Sequence, residues 1–317
     1  MIRHVIGLLI LLIAGLIYPW IMPSALTVGV TILLFAGWAT AWDILGGWAG
    51  QVSLGHASFV GVGAYFVAIG ATEYALAPWW SILMAVVAAA LLALAWGRLT
   101  FKLLGPYFTL STIAIAEILR LIAINEGWLT GGATGVFIDW MPTPFGIDLF
   151  ERENQYYLAL AFAIGVMATT IGISRSRFGY QLRAVREDEN SAMAAGINPT
   201  QVKLKAFMIS SALTAVGGGI YGLMLSFLEP YILFYLLLSV QIALTAIIGG
   251  RGTIWGPLVG AVLLVSAGEI FRTSFAEANL LIYGVLILLI ILFLPSGIIG
   301  EFNRRLTRRI YAKRAQG

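Results

Sequence analysis

Ten apolar runs recur along the chain, near residues 5–22, 26–45, 56–77, 79–101, 107–124, 156–174, 205–227, 232–249, 254–271 and 279–296. Each approaches the length of about 20 residues that a helix needs to cross a bilayer core. No polar stretch between them is long enough to form a soluble domain. The second and third runs flank a glycine-rich stretch that could hold a re-entrant piece, so the count is eight to ten spans, with ten expected.

Composition settles the solvent. Apolar residues make up 60% of the 317 and charged residues 11%, whereas a soluble domain is nearer half and a quarter. A water-soluble enzyme, a nucleic-acid binder and a disordered tail are excluded. The expected fold class is all-α: a polytopic integral membrane protein, with residues 1–317 forming a single transmembrane domain. The first run, Val5–Met22, is longer than a signal-peptide core and ends in Tyr18-Pro19-Trp20 without a cleavage site, so it reads as a retained span.

The placement of Lys and Arg orients the spans. With the N-terminus in the cytoplasm, 16 of the 19 basic residues fall inside. Only Arg120, Arg152 and Arg272 lie outside. The largest external loop, 125–155, holds five acids against one base and carries turn residues at Gly131-Gly132, Gly135, Pro142 and Pro144. Both termini are therefore expected in the cytoplasm, which requires an even number of spans. The tail 301–317, with Arg304, Arg305, Arg308 and Arg309 at helical spacing, reads as a basic cytoplasmic anchor near lipid headgroups.

Candidate chemistry is sparse. Of two histidines, His56 lies in Ser53-Leu54-Gly55-His56-Ala57-Ser58. A Ser-x-x-His spacing shares one helical face, but no carboxylate orients the ring as a triad requires. His56 reads as a hydrogen-bonding residue at a helix end, and no catalytic group is assigned. One histidine is no metal site, and without cysteine there is neither a disulfide nor a thiolate ligand. No Gly-Lys dipeptide exists for a phosphate loop. Any ATP-Mg is therefore expected on another polypeptide, and no cofactor on this one.

Ionisable residues within spans are costly and usually functional. Glu117 with Arg120, and Glu269 with Arg272, stand at i,i+3 in the outer third of two helices and read as structural ion pairs. Glu117 would alternatively serve a proton relay, and no other acid is expected near the midplane. Both pairs follow a Gly-Pro (Gly105-Pro106 and Gly256-Pro257) by similar intervals, a trace of internal repetition of the kind transporters carry. Glycine is dense at Gly46-Gly47-Trp48-Ala49-Gly50, Gly55, Gly61 and Gly63, and again at Gly249-Gly250-Arg251-Gly252, Gly256 and Gly260. Two readings stand: close helix packing, as in Gly256-x-x-x-Gly260, or a broken helix whose N–H groups face a cavity.

The internal segment 175–204 is the most informative. Glu187, Asp188 and Glu189 suit the positive end of a short helix, Gly196 its left-handed C-terminus, and Asn198 with Pro199 the start of the next. A rigid, capped cytoplasmic helix of this kind can receive force from a partner. The segment resembles the coupling loop of ABC-importer permeases, in particular the M-type (LivM-like) branched-chain amino-acid permeases. The resemblance is carried by Arg183 through Glu189, Ala195-Gly196-Ile197-Asn198, and Lys203 with Ala206-Phe207 and Ser210. Gly50-Gln51-Val52-Ser53-Leu54-Gly55-His56-Ala57-Ser58-Phe59, Tyr107-Phe108 through Thr130-Gly131-Gly132-Ala133-Thr134-Gly135, and Gly249 through Thr253 with Gly256-Pro257 extend it over about residues 40–300. Tyr180-Gln181 and Val216-Gly217-Gly218-Gly219 depart from it, where the family commonly has Arg-Ala and a more alanine-rich run.

The resemblance implies a multi-pass subunit of the bacterial inner membrane that imports branched-chain or related amino acids by alternating access. It implies a second permease subunit (a heterodimer), two cytoplasmic ATPases and a periplasmic binding protein as partners, docked in part by loop 125–155, with lipid around them and no nucleic acid. Coupling to the ATPases is expected at Arg183, Arg186, Glu187, Asp188, Glu189, Ala195, Gly196 and Asn198. The candidate pathway is Gln51, Ser53, His56, Ser58, Thr130, Gly131, Gly132, Thr134, Gly249, Gly250 and Thr253. Urea and short-chain amide permeases share the same stretches. A stand-alone proton-coupled secondary transporter using Glu117 is the alternative of another class.

Overall fold

A computed structural model describes residues 2–101, 106–138 and 146–274, together with 284, 285, 288, 292, 293 and 297–302. Its helices in chain order are α1 (Ile2–Ile21), α2 (Leu26–Asp43), α3 (His56–Thr72), α4 (Pro78–Thr100), α5 (Pro106–Asn125), α6 (Gly127–Thr130), α7 (Arg152–Arg175), α8 (Arg177–Glu187), α9 (Glu189–Ala194), α10 (Pro199–Leu225), α11 (Pro230–Leu233), α12 (Leu236–Gly250) and α13 (Gly256–Ser274). Eight helices among the described residues are long and apolar enough to cross a membrane, and α3 is a shorter apolar helix. The protein is an all-α polytopic membrane protein. The tenth expected run, 279–296, and the tail 301–317 lie largely outside the described residues, as do Lys102, Gly105, Pro142 and Pro144.

Apolarity marks where the spans are, but not where the helices begin. α10 starts at Pro199 and α7 at Arg152, several residues before the apolar runs at 205 and 156. Their first turns are polar because they pair within the protein. Lys203 is ion-paired to Glu189, and Gln155 Nε2 donates to the Leu149 and Leu223 carbonyls at 3.2 and 3.4 Å.

α10 lies at the centre, packed on α3, α4, α2 and α7, while α2 also packs on α7, α12 and α13. The α3–α10 crossing is a backbone contact. A Cβ at Gly63 would overlap the Ala215 carbonyl, and one at Gly218 the Val60 carbonyl. Small residues here let two helices approach where lipid gives them no hydrophobic reason to do so. The Gly217-Gly218-Gly219 departure is thus a packing feature. On one side of α10, Phe207 is enclosed by Phe59, Trp96, Phe101 and Phe108, with ring centroids 5.5 to 6.4 Å away. On another, Trp38 Nε1 donates to the Thr214 carbonyl at 3.2 Å.

The helix directions define two ends. At one, which we call the basic end, the α7–α10 connection lies beside the end of α2 and the α12–α13 turn. Trp255 Nε1 donates to His4 Nδ1 there at 3.2 Å, and Gly297 sits against Ile247 and Gly250. Both described extremities of the chain therefore lie at this end. At the far end, β1 (Val136–Phe137) pairs antiparallel with β2 (Phe227–Leu228), in the register Val136 to Leu228.

Gly218→Val is expected to force α3 from α10 and destabilise the chain by roughly 1–3 kcal/mol or more. A lowered melting temperature in detergent reads this out. Gly172→Val, where nothing lies within 4 Å of the added Cβ, is the control expected to melt like wild type.

Candidate coupling surface and broken-helix site

The segment between α7 and α10 is two capped helices. Ser176 Oγ accepts from Gly179 N at 3.2 Å to start α8. Asp188 Oδ1 accepts from Ser191 N at 2.6 Å to start α9. That bond holds the Asp188 carboxyl below the usual aspartate range, so the cap is formed at neutral pH and is lost only as strong acid protonates it. Gly196 ends α9 with φ +80°, and Asn198 Oδ1 accepts from Gln201 N at 3.1 Å with Pro199 at the first turn of α10. Asp188, Glu189, Gly196 and Asn198 stand at the helix ends where the sequence places them, but Glu187 is the last residue of α8 and so lies at a C-terminal end, because a helix precedes the short one. α8, which the sequence leaves unremarked, supplies the packing through buried Gly179, Leu182 and Val185.

The expected coupling residues divide by direction. Arg183 turns inward: Nη2 donates to the Ser174 carbonyl at 3.1 Å, and the guanidinium lies 5.6 Å from the Trp48 ring and 4.7 Å from that of Tyr180. Arg186 also reaches in, donating from Nη1 to the Gly47 carbonyl at 3.1 Å. Glu189 is held by the buried ammonium of Lys203. Glu187, Asp188, Met193, Ala194, Ala195, Gly196 and Asn198 are exposed and form the outward face.

α2 loosens into one π-turn at Ile44–Trp48, and the chain then runs without helix to Gly55. Backbone inside a membrane survives this only if its polar groups find partners, and here they do. Gln51 N donates to the Leu45 carbonyl at 3.0 Å. The Val52 carbonyl accepts from Thr109 Oγ1 at 2.9 Å, and the Ser53 carbonyl from Trp42 Nε1 at 2.7 Å. Leu54 N donates to Thr112 Oγ1 at 2.9 Å, and Ala57 N to Ser239 Oγ at 2.8 Å. The glycine-rich stretch is thus a non-helical lead into α3, and these N–H groups are bonded within the chain. Beside it a cavity of about 490 Å³ is lined by Gly50, Gln51, Val52, Pro106, Thr109 and Leu110.

His56 is the first residue of α3 and is fully buried. Ser210 Oγ donates its one hydrogen to the Ala41 carbonyl at 2.7 Å, so at 2.8 Å it accepts from His56 Nε2–H. His56 Nδ1 is then the acceptor for Ser53 Oγ–H at 3.2 Å. Hydrogen-bond accounting thus assigns the neutral Nε2–H tautomer. The ring joins the break, α10 and α2 with both nitrogens used. Ser53 meets His56 across a turn and not along a helical face. Ser210 is the twelfth residue of α10, about 16 Å along it, so α3 begins well inside the bundle.

Asp43 is the residue that sequence reading misses. Sequence reading assigns it no role, yet Asp43 is completely buried at the end of α2. Its Oδ1 and Oδ2 accept from Gly252 N at 2.9 and 3.0 Å. One signal was available, a lone acid closing an apolar run just before Gly46-Gly47. Its partner is a backbone N–H some 200 positions away, which no local pattern reveals.

The remaining candidates fall into separate places. Gly249, Gly250 and Thr253 lie at the basic end, where the close-packing reading holds. A Cβ at Gly249 would overlap the Gly256 carbonyl, one at Gly260 would overlap that of Thr245, and Thr253 Oγ1 accepts from Gly256 N at 3.0 Å. Thr130, Gly131, Gly132 and Thr134 lie at the far end, where both threonine hydroxyls donate to carbonyls of their own loop or of α5. Ser58 is buried in α3. Glu117 and Arg120 pair on an exposed face, as do Glu269 and Arg272, each arginine reaching both carboxylate oxygens. The two Gly-Pro helices, α5 and α13, thus run the same way and carry the same pair.

Residues 7–294 match the family model for the branched-chain amino acid transport system / permease component. The chain belongs to that family of transport permeases. The permease is 25% identical over 323 residues to the high-affinity branched-chain amino acid transport system permease protein LivM of Escherichia coli, spanning 94% of this chain and 75% of that one. To LivH of Escherichia coli it is 26% identical, and to BraD of Pseudomonas aeruginosa 27%, each spanning 88% of this chain and 94% of the relative. No solved structure matches it significantly. As a permease component of this family it is a multi-pass membrane protein, and each of these relatives is named as the permease protein of a transport system.

His56→Ala is expected to lower the melting temperature of the permease, since each buried polar group left unpaired costs roughly 1–3 kcal/mol. An unchanged melt with transport lost would instead put His56 in contact with solute.

Proposed function

We propose that this permease is the membrane-spanning subunit of an ATP-driven importer that brings branched-chain amino acids into the bacterial cytoplasm by alternating access. The observation that carries the reading is the α8–α9 segment. Two short helices, capped at Ser176, Asp188 and Gly196, followed by the Asn198 cap of α10 and anchored by Arg183, Arg186 and Lys203, present Glu187, Asp188 and Met193 outward at the basic end. A connector between spans needs no such rigidity, whereas a surface that receives force does. The chain has no phosphate loop, so the ATP is bound and hydrolysed on two partner ATPases facing this surface.

The basic end is then cytoplasmic, in the inner membrane, and loop 125–155 with its acids faces the periplasm toward a substrate-binding protein. The relatives' names speak of branched-chain amino acid transport throughout. Likeness to both LivM and LivH supports a second, related permease as the partner across the pathway. Gln51, beside the cavity at the break, is a pathway candidate with open space next to it, as is Thr130 beside a cavity of about 480 Å³ at the far end. A stand-alone carrier would need Glu117 free to exchange protons, but Arg120 holds both its oxygens.

Affinity purification of the tagged permease in mild detergent is expected to bring down a second permease and two ATPases. A chain that purifies alone and moves solute in liposomes without ATP would overturn the importer. Uptake of urea or a short-chain amide in place of leucine by the purified importer would move the substrate only. Charge reversal at Glu187 and Asp188 is expected to cut transport-linked ATP hydrolysis while the subunit still inserts. Because the chain has no cysteine, sidedness is directly readable. Met193→Cys should react with an impermeant maleimide in inside-out vesicles and stay unlabelled in right-side-out ones; the reverse pattern would invert the topology.

A further inference from the structure

Arg186 lies in a slot whose walls come from two distant parts of the chain. Its Nη1 donates to the Gly47 carbonyl at 3.1 Å. A Cβ at Gly50 would stand 2.9 Å from its Cγ, and one at Gly252 would stand 2.8 Å from Nη1. Both glycines also hold left-handed φ values, +75° and +73°, which other residues rarely adopt. A Cβ at Gly47 would overlap the Asp43 carboxylate. Asp43 in turn joins the two walls, because both its oxygens accept from Gly252 N.

The same guanidinium also leaves the slot. Its Nη2 donates at 3.0 Å to Glu187 Oε1, on a side chain that is 74% exposed. One planar group therefore connects an outward carboxylate on α8 to the break in α2, while Asp43 connects that break to the turn between α12 and α13.

We propose that Asp43 and Arg186 form a latch that delivers displacement of α8–α9 jointly to residues 44–55 and to the 251–255 turn, with Asp43 as a positioning residue for import. This rests on the reading of α8–α9 as the ATPase-facing surface. Asp43 holds Gly252 N with both oxygens from a fully buried position, and Arg186 spans Gly47 and Glu187, so displacing one segment strains bonds to the others. The three segments therefore move as one body, and the walls of the Gln51 cavity move with the coupling helices.

The test uses the complete importer, this chain with its partner subunits, reconstituted in liposomes, and reads leucine imported per ATP hydrolysed. Asp43→Asn keeps the shape and one acceptor but removes the charge. It is expected to assemble and to hydrolyse ATP, with the ratio falling roughly 2- to 30-fold, the range of mutations along a coupling path. Arg186→Lys keeps the charge but cannot reach Gly47 and Glu187 together, and its ratio is expected to fall likewise. A wild-type ratio in either assembled variant overturns the latch. Loss of assembly in both overturns it too, since the pair would then be a folding staple. A wild-type chain that binds no ATPase, or whose importer takes up no leucine, would instead overturn the function or substrate reading, before any variant is compared.

Discussion

A backbone that leaves its helix inside a bilayer has to find a partner for every N–H and C=O it exposes, because the lipid offers none. In residues 49–55 the N–H groups of Gln51 and Leu54 and the carbonyls of Val52 and Ser53 find theirs within the chain, and much of the architecture follows from how they do. Thr109 and Thr112 bring α5 to the break, Ser239 brings α12 to the start of α3, and Trp42 closes it from α2. His56 ties the same place to α10 through Ser210. The side chains that complete the break thus come from α2, α5, α10 and α12. The short α3 is its consequence, since a helix that starts part-way through the bundle needs fewer residues to reach the far end.

Glycine serves the same arrangement from the other side. Where α3 crosses α10 and where α12 meets α13, the backbones touch because no Cβ intervenes. Packing of this kind has little room to relax, so motion of one helix is passed to the next rather than absorbed. α10 is continuous with the coupling segment at Asn198-Pro199 and reaches the far end, where its exit strand pairs with the loop after α5. It is the element through which the two ends are mechanically joined.

The electrostatics divide by depth. Exposed pairs such as Glu117 with Arg120 lie on helix surfaces and contribute modestly. Among the described residues, the buried acidic and basic side chains are Asp43, bonded to Gly252 N, and Lys203, paired with Glu189. Both lie at the basic end, and each joins the spans to a turn or to the coupling helices. The charges that are costliest to bury are therefore concentrated where this end must hold together while it moves.

Apolar run length by itself determined the all-α membrane class and the positions of the spans, because the bilayer imposes one length scale on every crossing. The caps at Asp188, Gly196 and Asn198 were legible for a related reason: capping is local chemistry, decided within three residues. The family resemblance was legible in short motifs, although what those motifs do was not. Tertiary structure decided that Gln51, His56 and Thr130 do not share one site, that Arg183 and Arg186 point inward while Glu187 points out, and that Asp43 matters at all. Arg186 depends on Gly47, His56 on Ser210 and Asp43 on Gly252, partners 139, 154 and 209 positions away that only the helix crossings bring near. Sequence periodicity records which residues face lipid or protein, but not which residue of another helix will stand opposite them.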